Sequence, residues 1–323
     1  MREEKAQTDL EIRELEEAAQ VFCRNVGRVI VGKQETIQQV FIALLCGGHL
    51  LIEDLPGVGK TLLAKAAARS LGCSFKRVQC TPDLLPGDVT GLYYFNQKIS
   101  DFEFRPGPIQ ANIVLVDEIN RAMPRTQSCL LECMQEQQIT IDLRTFSLPR
   151  PFMILATQNP IELEGTFPLP EAQLDRFLLR VRLGYPSATE EGDILSRFQE
   201  ANPLDALPSV FAAEKILKLQ NLAHRVYVES SVREYITTLT RATRTHADIR
   251  LGASPRASLA LHSAARALAA IRGRSYVIPD DAKSLVLPVL AHRLILATEA
   301  HLKGRTAEDI LQEILSAVPV PLE

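Results

Sequence analysis

Between an apolar run, Leu50-Leu51-Ile52, and an alanine-rich run, Leu62-Leu63-Ala64-Lys65-Ala66-Ala67-Ala68, lies the stretch Glu53-Asp-Leu-Pro-Gly-Val-Gly-Lys-Thr61. The order reads strand, glycine turn, helix. Such a turn aims successive backbone N–H groups and the positive end of the helix dipole at one point, where an anion can sit. Gly57 and Gly59 let the backbone adopt the φ values that close approach to an anion requires. Lys60 can reach the outer phosphates of a nucleotide, and the Thr61 hydroxyl can hold Mg²⁺. The pattern G-x-x-x-x-G-K-T asks for glycine at position 54, and this chain carries Asp54.

The chain has 323 residues, enough for two domains of ordinary size, and 46% of them are hydrophobic, so a sizeable core can be buried. A net charge of −3 supplies no general electrostatic reason to bind nucleic acid or acidic membranes. The polar start, Met1-Arg-Glu-Glu-Lys, and the lack of an uninterrupted apolar run of about 18 residues argue against a secretion signal or a membrane span. The six cysteines follow no disulfide rhythm; Cys129 and Cys133 share a helix face, but no Cys/His cluster completes a zinc set. Reduced thiols in a cytoplasmic compartment are expected.

In chain order, Thr8-Asp-Leu-Glu11 reads as a capping box opening a helix that stops at Gly27, and Ile37, Val40, Phe41, Leu44 and Leu45 mark the next. Between them Val29-Ile30-Val31-Gly32 is a short apolar turn that suits either a nucleotide base or the core. Phe75-Lys-Arg-Val-Gln79 reads as a strand, and 92–105 as an aromatic-rich hairpin. Ile113-Val114-Leu115-Val116 has the continuous apolar character of a strand covered on both faces. It delivers Asp117 and Glu118 at its C-terminal end, where ligands of open α/β sheets collect. Asp117 is the natural partner for Mg²⁺, and Glu118 is placed to deprotonate an attacking water. A helix at 126–137, a hairpin at 139–148 and a buried strand at 152–156 follow. Asn159 ends that strand, where a polar amide could hold the water. Residues 160–173 read as loop and 177–181 as a last strand.

Tyr185-Pro-Ser-Ala188 is the best domain boundary, and every segment beyond it reads as helix: 189–201, 212–226, 231–247 opened by Ser231-x-x-Glu234, one opened by Ser254-Pro255, and more from Asp280. The expected fold is α/β: a parallel sheet with flanking helices and two hairpin insertions over residues 1–184, then an all-α lid over 185–323.

The ordered set Gly-Val-Gly-Lys-Thr61, Val-Asp-Glu-Ile-Asn-Arg121, Ala-Thr-Gln-Asn-Pro160, Glu-Ala-Gln-Leu-Asp-Arg-Phe177 and Ser-Pro-Arg256 closely resembles the MoxR family of AAA+ ATPases, over roughly residues 10–320. That resemblance implies a P-loop NTPase core with a helical lid, ATP and Mg²⁺ as cofactors, and a homo-oligomeric ring, usually a hexamer. It assigns Lys60 and Thr61 to Walker A and Asp117 and Glu118 to Walker B; with the reading of the residues above, the candidate nucleotide contacts are Gly57, Val58, Gly59, Lys60, Thr61 and Leu62, with Val31 and Gly32, and the candidate metal ligands Thr61 and Asp117. Glu118 and Asn159 become base and sensor 1, Arg176 the arginine finger, and Arg256 sensor 2 on the lid. Arg121 and Arg125 are alternative fingers, and Arg176 has Asp175 as a possible structural partner. The family works as remodelling chaperones that mature enzymes, often with a von Willebrand factor A-domain partner. A metal-chelatase motor shares the architecture. A nucleic-acid motor would need a concentrated basic footprint that Lys98, Arg105 and Arg144, interspersed with acids, do not supply.

Overall fold

The computed structural model describes residues 2–141, 144–160, 165–199 and 201–321. Two helices come first, α1 (Arg2–Val26) and α2 (Gln34–Leu45). The sheet region then runs β1 (Leu50–Glu53), α3 (Lys60–Ser70), β2 (Phe75–Gln79), α4 (Pro86–Thr90), β3 (Gly91–Asn96), β4 (Asp101–Pro106) and β5 (Ile113–Asp117). It continues through α5 (Pro124–Glu136), β6 (Gln138–Ile141), β7 (Arg144–Ser147), β8 (Met153–Gln158), α6 (Glu171–Leu174) and β9 (Leu179–Val181). The remainder is α7 (Ala188–Phe198), α8 (Ala213–His224), α9 (Ser230–Thr245), β10 (Ile249–Leu251), α10 (Pro255–Ile271), α11 (Pro279–Leu290), β11 (Ile295–Leu296), α12 (Thr298–Leu302) and α13 (Ala307–Ala317).

The central sheet is five-stranded and parallel, in the order β2-β5-β8-β1-β9. Its central strands are apolar up to their C-terminal ends because helices cover both faces, and alternation divides them. Leu50, Ile52, Ile113, Leu115, Met153 and Leu155 enter one core with α1, α2, α3 and the C-terminal helices. Leu51, Val114, Val116, Ile154 and Ala156 enter a second core with α5. The antiparallel pairs β3–β4 and β6–β7 are the two expected hairpins, with residues 142–143 of the second outside the described residues.

Several boundaries differ from the sequence reading. Helix α1 begins at Arg2, so Thr8 lies inside it; the helix has polar residues that extend it upstream of any cap. Pro86, at the first helical position, opens the short α4, an element the sequence reading did not place. Helix α9 starts at Ser230 with the Glu229 carboxylate accepting the Ser230 N–H, which displaces Ser231 as cap. The C-terminal region is not wholly helical, since β10 and β11 pair antiparallel. Part of the expected loop at 160–173 is the short α6, and 161–164 lies outside the described residues. Helix α1 packs on α8 and α10 as well as α3, so the N-terminal helix joins the sheet region to the C-terminal helices.

His49, at the foot of β1, is locked into the interior as a neutral ring. Its Nδ1 accepts the Ile154 N–H at 3.0 Å, and its Nε2 lies 3.0 Å from the Met134 carbonyl, so Nε2 must carry the hydrogen. Burial pushes its pKa down to about 4, against the backbone hydrogen bond to Met134, which raises it. Because the folded-state value lies below the unfolded one, the stabilisation is present above about pH 6.5 and is lost as pH falls towards 4, where only the unfolded chain takes up the proton. The loss is on the order of 3 kcal/mol for a shift of this size. Urea unfolding between pH 7.5 and 4 should show wild type losing more stability on acidification than His49→Gln, although the variant is less stable at pH 7.5. Parallel pH profiles would count against this origin.

Candidate functional site

The site is built where β1, β5 and β8 end. Gly57 and Gly59 take φ of +84° and +94°, and a Cβ at either would meet nothing within 4 Å. Conformation, not crowding, requires glycine at both. Gly59 occupies the N-cap of α3 with no side-chain cap, so the first amides of that helix remain available. This cradle and the bare helix N-terminus fit a nucleotide phosphate. Val58 and Leu62 are half-buried and pack on the larger core, which seats the loop.

Lys60 is held by its ammonium on the Asp54 carbonyl at 2.8 Å. Partial burial lowers its pKa, opposed by the charges of Asp117, Asp54 and Glu118, which places all three acids around it. Asp54 is itself buried. Its Oδ1 accepts the Leu55 N–H at 2.9 Å, and its Oδ2 accepts those of Leu183 and Gly184 at 2.5 and 2.7 Å.

Asp117 sits on the end of β5 beside β2, in register with Gln79. Its Oδ1 accepts the Thr157 hydroxyl at 2.5 Å, and its Oδ2 accepts Arg77 Nη2 at 2.5 Å and Nε at 3.2 Å. Oδ1, with one donor, retains a further lone pair. That oxygen and the Thr61 hydroxyl are hard donors of the kind that would suit Mg²⁺ shared with phosphates. Among the described residues no cluster of three His, Cys, Asp or Glu forms a cage of protein ligands alone.

Glu118 is in the left-handed region, φ +57°, a conformation that costs a non-glycine residue about 1–3 kcal/mol and that clusters at functional sites. Three contacts hold it there. The Thr157 hydroxyl accepts its N–H at 2.8 Å, Gln79 Nε2 donates to Oε2 at 3.1 Å, and Arg121 Nε pairs with Oε2 at 3.0 Å. Arg121, weighed as a finger, is thus engaged within its own chain, whereas Arg125 is exposed. Asn159 is half-buried one residue beyond β8, the strand between β5 and β1.

The other predicted residues lie farther out. Arg176 is half-buried, with Nη1 on the Leu131 carbonyl at 2.6 Å and Nε buried without a partner. It does not pair with Asp175, whose carboxylate takes Arg293 Nε at 2.8 Å and the Ser254 hydroxyl at 2.9 Å. Through Ser254 that carboxylate anchors the start of α10, where Arg256 is exposed. Val31 is buried, and Gly32, at φ +72°, has no room for a side chain: a Cβ would lie 1.6 Å from Glu190 Oε1. Lys33 donates to the Tyr185 carbonyl and Arg197 to those of Gly27 and Arg28, so this turn is the seam with α7.

Arg77, Gln79, Thr157 and Arg293 were not anticipated. The one signal for the first pair is a polar i, i+2 spacing at the end of β2, uninformative until β2 is known to neighbour β5.

Residues 49–179 match the family described as ATPase family associated with various cellular activities (AAA), and 241–314 match the AAA lid domain. The chain is 51% identical over 299 residues to the uncharacterised protein YeaC of Bacillus subtilis, covering 93% of each. It is 42% identical to the chaperone MoxR1 of Mycobacterium tuberculosis, covering 92% of this chain and 80% of that one. A crystal structure of a Cytophaga hutchinsonii protein superposes with TM-score 0.91 at 37% identity, covering 99% of both chains.

Thr157 pins both acids with one hydroxyl. Thr157→Val should therefore leave a buried N–H and a carboxylate oxygen short of a partner, destabilising the fold by about 1–3 kcal/mol. Turnover should fall about tenfold or more as Glu118 loses its aim, while Thr157→Ser stays near wild type. Steady-state ATPase assays with urea unfolding check both; equal turnover in the valine variant would remove Thr157 from the site.

Proposed function

Because this chain belongs to the MoxR family of AAA+ ATPases, and so binds nucleotide and hydrolyses ATP, we propose that it is the motor of a remodelling chaperone. In this reading residues 1–184 are the ATPase core and 185–323 the lid. The observation that carries it is the convergence of Lys60, Asp117 and Glu118 beside an open glycine cradle, with Glu118 held in a strained backbone conformation.

Gly57, Val58, Gly59, Lys60, Thr61 and Leu62 would wrap the phosphates, with Val31 and Gly32 near the base. Mg²⁺, held by Thr61 and Asp117, would neutralise charge on the phosphate oxygens. Gln79 and Arg121 hold Glu118 at Oε2, and its carboxylate would take the proton from water. Asn159 would orient that water, and Lys60 and Arg256 would balance charge on the γ phosphate. Arg176 from a neighbouring copy would complete the site in a ring, hexameric by the family's habit, and a finger of this kind contributes about 10³–10⁵ in rate.

The hairpins support a protein client over a nucleic acid. Phe95, Ile99 and Phe102 are exposed at the end of the β3–β4 hairpin, and Asp101 and Glu103 accompany them. Maturation of a partner enzyme, with a von Willebrand A-domain protein as adaptor, is the reading we favour. A cytoplasmic setting suits free thiols. No helix among the described residues is long and apolar enough to cross a membrane.

Lys60→Ala should lose ATP binding, whereas Glu118→Gln should bind ATP and lose about 10²–10⁴ in turnover. Equal hydrolysis by wild type and Glu118→Gln would remove Glu118 as base. The Glu118→Gln protein held in ATP should retain its client: mass spectrometry of a nuclease-treated pull-down should find a von Willebrand A-domain protein or a metalloenzyme. Recovery of nucleic acid alone, lost on nuclease treatment, would overturn the chaperone reading.

A further inference from the structure

Position 54 is where the phosphate-loop pattern asks for glycine, and the aspartate there is the most connected residue of the loop. Its N–H donates to the Gln158 carbonyl at 3.1 Å, extending the ladder between β1 and β8 by one residue. Its carbonyl receives Lys60 Nζ at 2.8 Å. Its carboxylate, only 7% exposed as a residue, receives the loop amide of Leu55 on one oxygen and the consecutive amides of Leu183 and Gly184 on the other. Both hinge amides therefore make short, charge-assisted bonds to the carboxylate.

Leu183 and Gly184 are where the chain leaves β9. Gly184 turns it at φ +64°, Tyr185 takes Lys33 on its carbonyl, and Ser187 caps α7. A glycine at 54 would leave both amides without this acceptor; it is the Asp54 carboxylate that hydrogen-bonds the phosphate loop to this segment.

We propose that Asp54 is a positioning residue that couples the phosphate loop to the lid hinge at Leu183-Gly184. Lys60 and the hinge amides hang on opposite ends of one residue. A shift of the Lys60 ammonium towards a phosphate pulls on the Asp54 carbonyl, and the carboxylate passes that displacement to the amides that fix the departure of α7. The inference rests on the loop being the nucleotide site, as proposed above.

The test restores the consensus. Asp54→Gly should bind a fluorescent ATP analogue within about threefold of wild type, as the cradle of Gly57, Gly59 and Lys60 is intact, yet lose about tenfold in kcat with KM little changed. Hydrogen exchange in the Glu118→Gln background, with and without ATP, should show an ATP-dependent change in α7 peptides that Asp54→Gly abolishes. Asp54→Asn, which keeps one oxygen for a hinge amide, should fall between, and carries the comparison should the glycine variant melt below assay temperature. Wild-type kcat with the α7 response intact in Asp54→Gly overturns the coupling. So does loss of ATP binding in that variant, which would make Asp54 a loop residue only. Undiminished analogue binding by Lys60→Ala would instead show that the loop reading itself had failed.

Discussion

The parallel ladder that holds β8 between β5 and β1 is the constraint on which the site depends. Val116 pairs with Ala156 and Leu51 with the same residue from the other side. That register brings three chain segments, far apart in sequence, to one edge of the sheet at the same height. Asp117, Gln158 and Glu53 end the three strands, and the Asp54 amide adds one more rung beyond them. Slipping any strand by one residue would exchange its two core faces, so the packing that buries Leu50, Leu115 and Leu155 also fixes where the acids emerge.

Above that edge the geometry is set by two buried carboxylates and one half-buried one, each satisfied by a different piece of chain. Asp54 takes the amides of Leu183 and Gly184, Asp117 takes Thr157 and Arg77, and Asp175 takes Arg293 and Ser254. Arg293 is nearly inaccessible, and it also donates to the carbonyls of Phe177 and Leu178. Buried ion pairs are weak sources of net stability, because desolvation offsets attraction, but removing one partner costs far more than replacing both. Their contribution here is to positional uniqueness. They fasten the loop carrying Arg176 to the helix carrying Arg256 and to the lid.

The sheet strands, the phosphate loop and both hairpins were legible because their signals are local: continuous apolar runs, glycines at fixed spacing, alternation around polar turns. Phe75–Gln79 was read to the residue. What escaped has a common cause. Gln79 and Thr157 matter because of strand order, which no local pattern encodes; Arg293 matters because α11 brings it against a loop more than a hundred residues earlier. The short β10–β11 pair carries too few residues for an alternation to register. Asp54 was visible as a departure from pattern, but its partners Leu183 and Gly184 offer only backbone amides, which sequence cannot mark.

The two insertions illustrate how a nonlocal contact can matter without being large. Their aromatic faces meet, with Phe104 stacked on Phe146 at 4.6 Å between centroids and Arg144 5.9 Å from the Tyr93 ring. An aromatic pair contributes about 0.5–1.5 kcal/mol beyond its buried area, enough to keep the hairpins together and little enough to be broken. The second hairpin is rooted in α5, where Leu148 donates to the Gln137 carbonyl at the helix end, and α5 begins just after the turn that follows Glu118. A displacement at Glu118 therefore has a contiguous packed route to the exposed aromatics of the first hairpin, through α5 and the Phe146–Phe104 stack. The sequence route from Glu118 back to Phe102 instead crosses the buried strand β5, which is paired on both edges.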